Sequence, residues 1–273
     1  MMLEQLKYKN HLNEVFEFGR DGIFVNMNEL HDYEWSITAR NNRVASLTYP
    51  IVNRKLPIVI MCDTEEKGIA ARNKLLEICE KDVLALQHGR IVIGDYYFRC
   101  FVTKSQKKDY SISKRYMQIT LTLTSDFPFW IKETPFEFRK NVEKVEGLDS
   151  NYEYPFDYCP STTSGTLNNT GFVDTNFRMI IGGSCSNPSV YISSHLYQVN
   201  CVIGADEYLT IDSVTKKIYL TSNDGATTNV FNLRNRDSYI FKKIPPGNNT
   251  VLWEGEFGID VILLEERSEP KWT

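Results

Sequence analysis

The sequence contains no apolar segment that would carry the chain into or across a membrane. The longest apolar runs, Leu56–Cys62 and Asp260–Leu264, have the length of strands, whereas a spanning helix needs roughly 20 apolar residues. The first ten residues are mixed polar and charged, without the basic start and apolar core of a signal peptide. We therefore expect no membrane partner, and a chain that is made and assembled in the cytoplasm.

Residues that bind metals or attack substrates are few and scattered. No Cys-x-x-Cys pair occurs, and no two of the four histidines have the spacing of metal ligands. The nucleophile pattern Gly-x-Ser-x-Gly is absent, and the glycine-rich segment 182–186 lacks the lysine of a phosphate-binding loop. The sequence thus predicts no catalytic, metal or cofactor site, and we expect a protein that is not an enzyme.

The cysteines are too widely and irregularly spaced for a disulfide framework in a chain of this length. We expect free, buried thiols that pack as small hydrophobic side chains. The six positions are Cys62, Cys79, Cys100, Cys159, Cys185 and Cys201.

A basic excess is missing as well. Lys and Arg number 31 against 35 Asp and Glu, which gives a net charge of −4 and a pI of about 5.7. A general nucleic-acid binder would carry a basic excess, and an anionic membrane attracts clustered cations. The charge balance therefore argues against both as binding partners.

The sequence does contain many aromatic residues, which make up 12% of the chain and favour strands. The N-terminal half has the pattern of strands around one helix, predicted over about 65–86. Asp63 or Thr64 is the predicted N-cap and His88-Gly89 the predicted stop. Residues spaced close to 3.6 apart form its predicted buried face: Ile69, Ala70, Leu75, Leu76, Cys79, Val83 and Leu86.

Two polar segments of this half are candidate contacts with another copy or with a partner. Residues 115–124 alternate strictly between polar and apolar, which predicts a strand with a threonine-rich face. Residues 104–108 are predicted to form a basic loop, suited to solvent. The candidate residues are Thr120, Thr122 and Thr124 in the strand, and Lys104, Lys107 and Lys108 in the loop.

The C-terminal half repeats short apolar segments about every 8–12 residues, separated by turns such as Asn223-Asp224-Gly225. This spacing is typical of a β-sandwich or jelly roll. A proline- and aromatic-rich stretch between residues 126 and 160 separates the halves. We therefore predict an N-terminal domain over 1–138 and a C-terminal domain over 139–273.

Two alternatives involve carbohydrates. In a carbohydrate-binding β-sandwich protein that mediates adhesion to a host surface, Trp253 would be the sugar platform. In a glycoside hydrolase, Glu254 and Glu256, two residues apart on a predicted strand, would be the carboxylate pair. The ordinary structural interpretations are a core tryptophan and a solvated acidic face.

The order of these features resembles that of a known family. The predicted strand runs into Ser-Asp-Phe-Pro-Phe-Trp at 125–130, and Pro-Pro-Gly-Asn-Asn at 245–249 precedes the last strand. Together with a β domain that carries one helix and a sandwich domain behind it, these motifs make the whole chain resemble the distal tail protein (Dit) family. That family belongs to long-tailed phages of Gram-positive bacteria, and also occurs in prophages and phage-derived tail particles.

The resemblance implies a mainly β fold of two domains. The first is a β-sandwich or split-barrel-like domain with one helix, and the second is a galectin-like β-sandwich. The implied role is structural: a homo-hexameric ring, single or back-to-back, at the distal end of the virion tail, with a central channel through which DNA passes without specific binding. The implied partners are the tail tube protein, the tail-tip or tail-associated lysin protein, and receptor-binding proteins. No cofactor is implied.

Overall fold

The computed structural model of the chain describes residues 5–20, 22–108, 113–139 and 163–271. Its contacts divide the chain into two compact units: unit 1 is Met1–Lys132 with Glu266–Thr273, and unit 2 is Glu133–Glu265. Both units are rich in strands, and the one α-helix of the described residues lies in unit 1. The predicted fold class is therefore confirmed, whereas the domain boundary after residue 138 stays a prediction.

Unit 1 is organised around one long strand. Its strands are β1 (Leu6–Lys9), β2 (Val15–Glu17), β3 (Ile23–Val25), β4 (Ser36–Arg40), β5 (Arg43–Thr48), β6 (Val52–Met61), β7 (Gly89–Ile93), β8 (Tyr96–Lys108), β9 (Tyr116–Ser125) and β10 (Trp130–Phe138), of which β10 continues into unit 2. The first half of β8 pairs with β7, and the sheet continues through β1 to β2. The second half of β8 pairs with β9, and the sheet continues through β6 to β3. The inward residues of these strands form the core of unit 1.

Helix α1 (Glu65–Ala85) confirms the single predicted helix, but a different side of it is buried. Thr64 is the N-cap, and its Oγ1 accepts a hydrogen bond from the Lys67 backbone N–H at 3.3 Å. The buried positions are Gly68, Leu75, Ile78, Cys79 and Asp82. Five residues of the predicted buried face are instead exposed: Ile69, Ala70, Leu76, Val83 and Leu86. The spacing of apolar residues predicted the wrong buried face of α1, because Gly68 and Asp82, which are not apolar side chains, are among the buried residues.

Two glycines explain how closely α1 packs on the strands. A Cβ at Gly68 would lie 2.3 Å from the Lys114 carbonyl oxygen, so this glycine permits backbone contact. A Cβ at Gly89 would lie 2.2 Å from the Tyr8 hydroxyl and from a carboxylate oxygen of Asp82. Gly89 begins β7, whereas α1 ends at Ala85 with Leu86 as its C-cap, which adopts the left-handed conformation with φ of 51°. The predicted His88-Gly89 stop is therefore wrong.

Asp82 attaches α1 to the first hairpin of the chain. Its fully buried carboxylate accepts hydrogen bonds from the Tyr8 hydroxyl at 2.5 Å and from the His11 backbone N–H at 2.8 Å. The Nδ1 atom of His11 lies 2.5 Å from the same carboxylate. Burial raises the pKa of Tyr8, so the phenol remains protonated and keeps its role as donor.

Unit 2 is the predicted β-sandwich. Its strands are β11 (Thr163–Asn169), β12 (Asn176–Gly182), β13 (Cys185–Ser186), β14 (Ser189–Ile192), β15 (His195–Gln198), β16 (Val202–Ile203), β17 (Tyr208–Asp212), β18 (Lys217–Thr221), β19 (Thr227–Asn229), β20 (Gly247–Trp253) and β21 (Gly258–Arg267), with a short 3-10 helix at Phe231–Leu233. One antiparallel sheet has the order β19-β18-β17-β12-β21, and the other has the order β11-β20-β14-β15. Inward residues of both sheets form one core.

The Pro-Pro-Gly-Asn-Asn segment leads into β20 and is held by a buried amide. The Nδ2 group of Asn249 donates to the carbonyl oxygens of Pro245 and Gly247, both at 2.9 Å, and its Oδ1 accepts from the Ser193 hydroxyl at 2.6 Å. Gly247 has a positive φ of 87°, which glycine adopts without strain. These bonds explain why a polar residue, Asn249, is buried in the sandwich.

Some predicted strands are absent and one unpredicted strand is present. Segments 172–173 and 239–244 belong to the short apolar segments of the C-terminal half, which predict strands, but both form turns and loops. Residues 130–138, which lie in the proline- and aromatic-rich stretch between the halves, form strand β10. Proline is compatible with a strand where its missing N–H is not needed for pairing.

Candidate functional site

The threonine-rich face predicted from alternation is real and lies on one side of β9. Every second residue of β9 is buried, beginning at Met117, whereas Thr120, Thr122 and Thr124 are half-buried on the opposite side. Strand β9 lies between β6 and β8, so the threonines occupy the middle of a three-stranded surface. The structure therefore brings the three predicted threonines together.

The predicted basic loop is wrong, because residues 104–108 are the outer half of strand β8. A bulge at Thr103 shifts the register between Val102 and Lys104, so that Lys104 rather than Thr103 pairs with Thr122. A bulge adds one residue to one strand and so changes which side chains reach a given face. It is this shift that places Lys104 on the threonine side.

The three lysines therefore separate onto two faces. Lys104 pairs with Thr122 and Lys108 with Gln118, and directly paired residues share a face. Lys107 pairs with the buried Ile119 and its Nζ lies 3.3 Å from the Ser105 hydroxyl, on the other side. Lys104 and Lys108 thus join the threonines, and Lys107 does not.

The neighbouring strand β6 supplies residues to this surface that sequence reasoning missed. Lys55 pairs with Thr122 from the side opposite Lys104, and Asn53 pairs with Thr124. Both are exposed, and they alternate with the buried Arg54 and Leu56. Residues 53–56 are Asn-Arg-Lys-Leu, so the sequence shows no polar-apolar alternation there, because the buried Arg54 is itself charged.

We call this surface the threonine face. Its members are Asn53, Lys55, Lys104, Gln106, Lys108, Gln118, Thr120, Thr122 and Thr124.

Hydrogen bonds preorganise one end of the threonine face. The Thr124 hydroxyl donates to Asn53 Oδ1 at 2.6 Å and therefore accepts from the Thr103 hydroxyl at 2.7 Å. At the middle of the face, Lys55 is close to a carboxylate, since its Nζ lies 3.7 Å from Glu29 Oε1. The face offers hydroxyls, amides and ammonium groups, but no nucleophile paired with a base. It is suited to weak, hydrated contact with a polyanion or a polar protein surface.

Trp253 is not a sugar platform. Its side chain is buried at 4% exposure, its Nε1 donates to the Phe257 carbonyl oxygen at 3.1 Å, and its ring meets Phe138 edge-on at 5.6 Å. A tryptophan that stacks on a sugar must present a ring face to solvent. The assignment of Trp253 under the carbohydrate alternative is therefore wrong.

The carboxylate pair of the hydrolase alternative does not lie where the sequence predicted it. Glu254 and Glu256 are exposed, and they lie in the turn between β20 and β21 rather than on a strand. Their surroundings agree with a solvated acidic turn.

The described cysteines are free thiols, as predicted, and burial explains their chemistry. Cys62, Cys79, Cys100 and Cys201 are buried and Cys185 is half-buried, whereas Cys159 lies outside the described residues. Burial raises the pKa of Cys79 to about 12 and that of Cys185 to about 11. Thiols with such pKa values are poor nucleophiles at neutral pH.

Within the residues that the structure describes, His, Cys, Asp and Glu side chains form no group of three that could hold a metal ion. No helix among the described residues combines the length and the apolar character that crossing a membrane requires.

Comparison with known proteins gives matches in structure but not in sequence. No protein-family model matches the chain, and no curated protein matches it. The structure is similar to that of the Dit protein of phage SPP1, a paradigm of the hub adsorption apparatus in phages that infect Gram-positive bacteria. That match has a TM-score of 0.58 and 11% identity, and covers 97% of this chain and 100% of the other. This chain has the fold of a phage Dit protein.

The Dit fold also occurs in a second set of solved structures. The chain is similar to a component of the phage P2 baseplate in its activated conformation, solved with Ca and with Sr. Both matches have a TM-score of 0.64 and 10% identity, and cover 98% of this chain and 100% of the other. The resemblance carried by the motifs at 125–130 and 245–249 is thus confirmed at the level of the fold. The structural neighbours are hub and baseplate proteins of phage tails.

Proposed function

We propose that this chain is a structural distal tail protein of a long-tailed phage, a prophage or a phage-derived particle. It forms a hexameric ring hub that joins the tail tube to the tail-tip or lysin protein and to receptor-binding proteins, and it catalyses no reaction. The observation that supports this role is the extent of the structural likeness, which covers nearly all of this chain and all of its neighbours. A shared single module would leave one unit unmatched.

In this proposal the threonine face lines the channel through which DNA passes. Hydroxyls and amides keep a wall hydrated, and a few lysines attract phosphates without the many contacts that make binding tight. The net charge of −4 works in the same direction, because it weakens adhesion of DNA to the ring as a whole. A channel needs a wall of this kind so that DNA can move through it.

The oligomeric state tests the ring. Native mass spectrometry and mass photometry of the full chain are expected to show a species of six or twelve times the 31.6 kDa chain mass. Negative-stain electron microscopy should then show six-fold rings with a central hole. A chain that stays monomeric at tens of micromolar would contradict the proposal.

A position-specific label tests the channel wall separately. Thr122→Cys, labelled with maleimide-gold, is expected to place gold at the centre of each ring. Thr228→Cys is the matched control, since it is an exposed threonine on β19 of unit 2, and we expect its label away from the ring centre. Gold from Thr122→Cys outside the channel would overturn the wall assignment and leave the ring intact.

A further inference from the structure

The positive charge of unit 2 is concentrated in one segment of its sequence. Seven Lys and Arg residues lie between residues 163 and 265, and six of them fall within 214–243. The same segment contains only two carboxylates, Asp224 and Asp237. Its six cations against two carboxylates give it a net charge of +4, in a chain whose net charge is −4. A local excess of one sign of charge raises the concentration of the opposite ion around it.

Within this segment, an open cleft lies where the first residue of β18 and the last residue of β19 meet the 3-10 helix. Its volume of about 510 Å³ is in the range of small-molecule sites. The cleft presents two ammonium groups, two carboxamides and one aromatic ring, and no carboxylate of the described residues lines it. The lining residues are Lys216, Lys217, Asn229, Phe231 and Asn232.

The two lysines of the cleft are not neutralised by the chain itself. Among the described residues, neither Lys216 nor Lys217 forms an ion pair with a carboxylate. Asp212 pairs with Lys217 in the β17–β18 ladder, but its Oδ1 accepts the backbone N–H groups of residues 214–215 at 2.9 and 3.0 Å. The other oxygen of Asp212 lies 3.7 Å from Arg178 Nε. Both ammonium groups are therefore available to an anion from outside the chain.

The position of Lys216 is fixed by its backbone and by two aromatic rings. Its φ of 56° lies in the left-handed region, where glycine and asparagine are favoured over lysine. Its Nζ lies 5.6 Å from the ring centroid of Tyr239 and 5.3 Å from that of Phe241, and cations are attracted to aromatic rings at such distances. The turn alone would be more stable with glycine here, whereas lysine adds these ring contacts and a charge at the cleft.

The aromatic side of the cleft is also held in place. The Phe231 backbone N–H donates to Asn229 Oδ1 at 2.9 Å, so the Nδ2 group of this asparagine can donate to a ligand. The Arg234 guanidinium lies 3.9 Å from the Phe231 ring centroid, and its Nη1 donates to the Phe231 carbonyl oxygen at 2.8 Å. One face of the Phe231 ring is thus covered by a cation. The cleft is therefore formed before any ligand arrives.

We propose that this cleft binds a phosphorylated sugar or polyol, with its phosphate on Lys216 and Lys217 and its hydroxyls on the amides of Asn229 and Asn232. Lysine ammonium groups bind phosphate as point charges, and carboxamides both donate and accept hydrogen bonds, as hydroxyls do. A nucleotide fits less well, because a base stacks on a free aromatic face and one face of Phe231 is covered. The inference goes beyond the proposed function and does not depend on the ring.

Isothermal titration calorimetry of the full chain tests the class of ligand. Glucose 6-phosphate and glycerol 3-phosphate are expected to bind at least tenfold more tightly than glucose or inorganic phosphate, because only the esters engage both the ammonium groups and the amides. Equal affinity for inorganic phosphate and for the esters would overturn the role of the amides. Tighter binding of AMP than of either ester would overturn the assignment to sugars and polyols.

Substitutions test the cleft itself. Lys216→Asn with Lys217→Gln is expected to weaken binding of glucose 6-phosphate at least tenfold, while asparagine keeps the left-handed turn. Asn232→Ala should weaken binding of the ester and leave that of inorganic phosphate unchanged. The matched control is Lys67→Gln with Lys74→Gln, which removes the same charge at two exposed lysines of α1. Circular dichroism of each variant confirms the fold, and an equal loss in the control would overturn the assignment to the cleft.

A polymeric probe distinguishes two sources of the same chemistry. Six linked glycerol phosphate units offer at most a sixfold statistical advantage at a single site, so binding more than tenfold tighter than that of glycerol 3-phosphate identifies a polymer as the ligand. Affinities that agree within that factor identify a free small molecule. Both results support a phosphate-ester site, whereas a folded chain that binds neither probe overturns the proposal.

Discussion

Two hairpins of this molecule have similar patterns and opposite surroundings. In β17–β18 of unit 2, Ile211 pairs with Ile218, and both are completely buried. In β4–β5 of unit 1, Ile37 pairs with Leu47, and both are more than half exposed. The difference is that the inward residues of a second sheet cover the first hairpin, whereas among the described residues only the base of the second is covered.

The difference shows that alternation of polar and apolar residues predicts which side chains share a face, but not what covers that face. Unit 2 encloses its apolar faces between its own two sheets and so completes a core. Unit 1 completes a core as well, yet leaves the apolar residues of β4–β5 and three apolar residues of α1, Ile69, Leu76 and Val83, outside it.

The largest expected effect comes from the enclosed hairpin. Ile211→Ala should lower the free energy of unfolding by about 2–5 kcal/mol, because it removes buried methyl groups and leaves a cavity. Urea unfolding followed by circular dichroism measures the loss. A change below about 1 kcal/mol would show that the sandwich core of unit 2 is looser than its burial indicates.

A smaller effect is expected where unit 1 is most tightly packed. Gly89→Ala should cost about 1–3 kcal/mol, because its Cβ would overlap the Tyr8 hydroxyl and the Asp82 carboxylate in a filled site. Gly182→Ala is the control, since its Cβ would meet nothing within 4 Å. Equal stability of the two variants by thermal unfolding would mean that Tyr8 and Asp82 shift at little energetic cost. The core of unit 1 would then be less tightly packed than its burial indicates.

Local patterns predicted the elements of the fold well, but not their surroundings. The alternation in 115–124 and the helix over 65–86 are both present, because side-chain period follows from backbone geometry. The buried side of α1 was misplaced because Gly68 and Asp82 are buried through contacts with residues distant in sequence, Lys114 and Tyr8. Such contacts leave no trace in the spacing of apolar residues.

The candidate site was predictable in part for the same reason. Thr120, Thr122 and Thr124 share a face by strand geometry alone, and the sequence shows it. Placing Lys104 beside them depends on a bulge, and adding Lys55 depends on which strand pairs with β9. Strand pairing and register depend on the whole fold, so local patterns in a single sequence do not reveal them.

The enclosure of unit 2 should also be visible in the reactivity of a half-buried thiol. Because burial raises the pKa of Cys185 to about 11, its thiolate fraction should rise about tenfold per pH unit between pH 8 and pH 10. Iodoacetamide labelling, assigned to Cys185 by peptide mass spectrometry, measures this rise. A rate that levels off near pH 9, as for an exposed thiol, would show that solvent reaches this part of the sandwich freely.

The smallest expected effect on stability belongs to the exposed hairpin, and it completes the comparison. Ile37→Ala, measured on diluted monomeric chain, should change the free energy of unfolding by no more than about 0.5–1 kcal/mol, since an exposed cross-strand pair contributes little. The same substitution at Ile211 removes the same atoms, so any difference between the two variants measures enclosure alone. If Ile37→Ala proved as damaging as Ile211→Ala in the monomer, the β4–β5 hairpin would be covered by its own chain, and the contrast between the two hairpins would not hold.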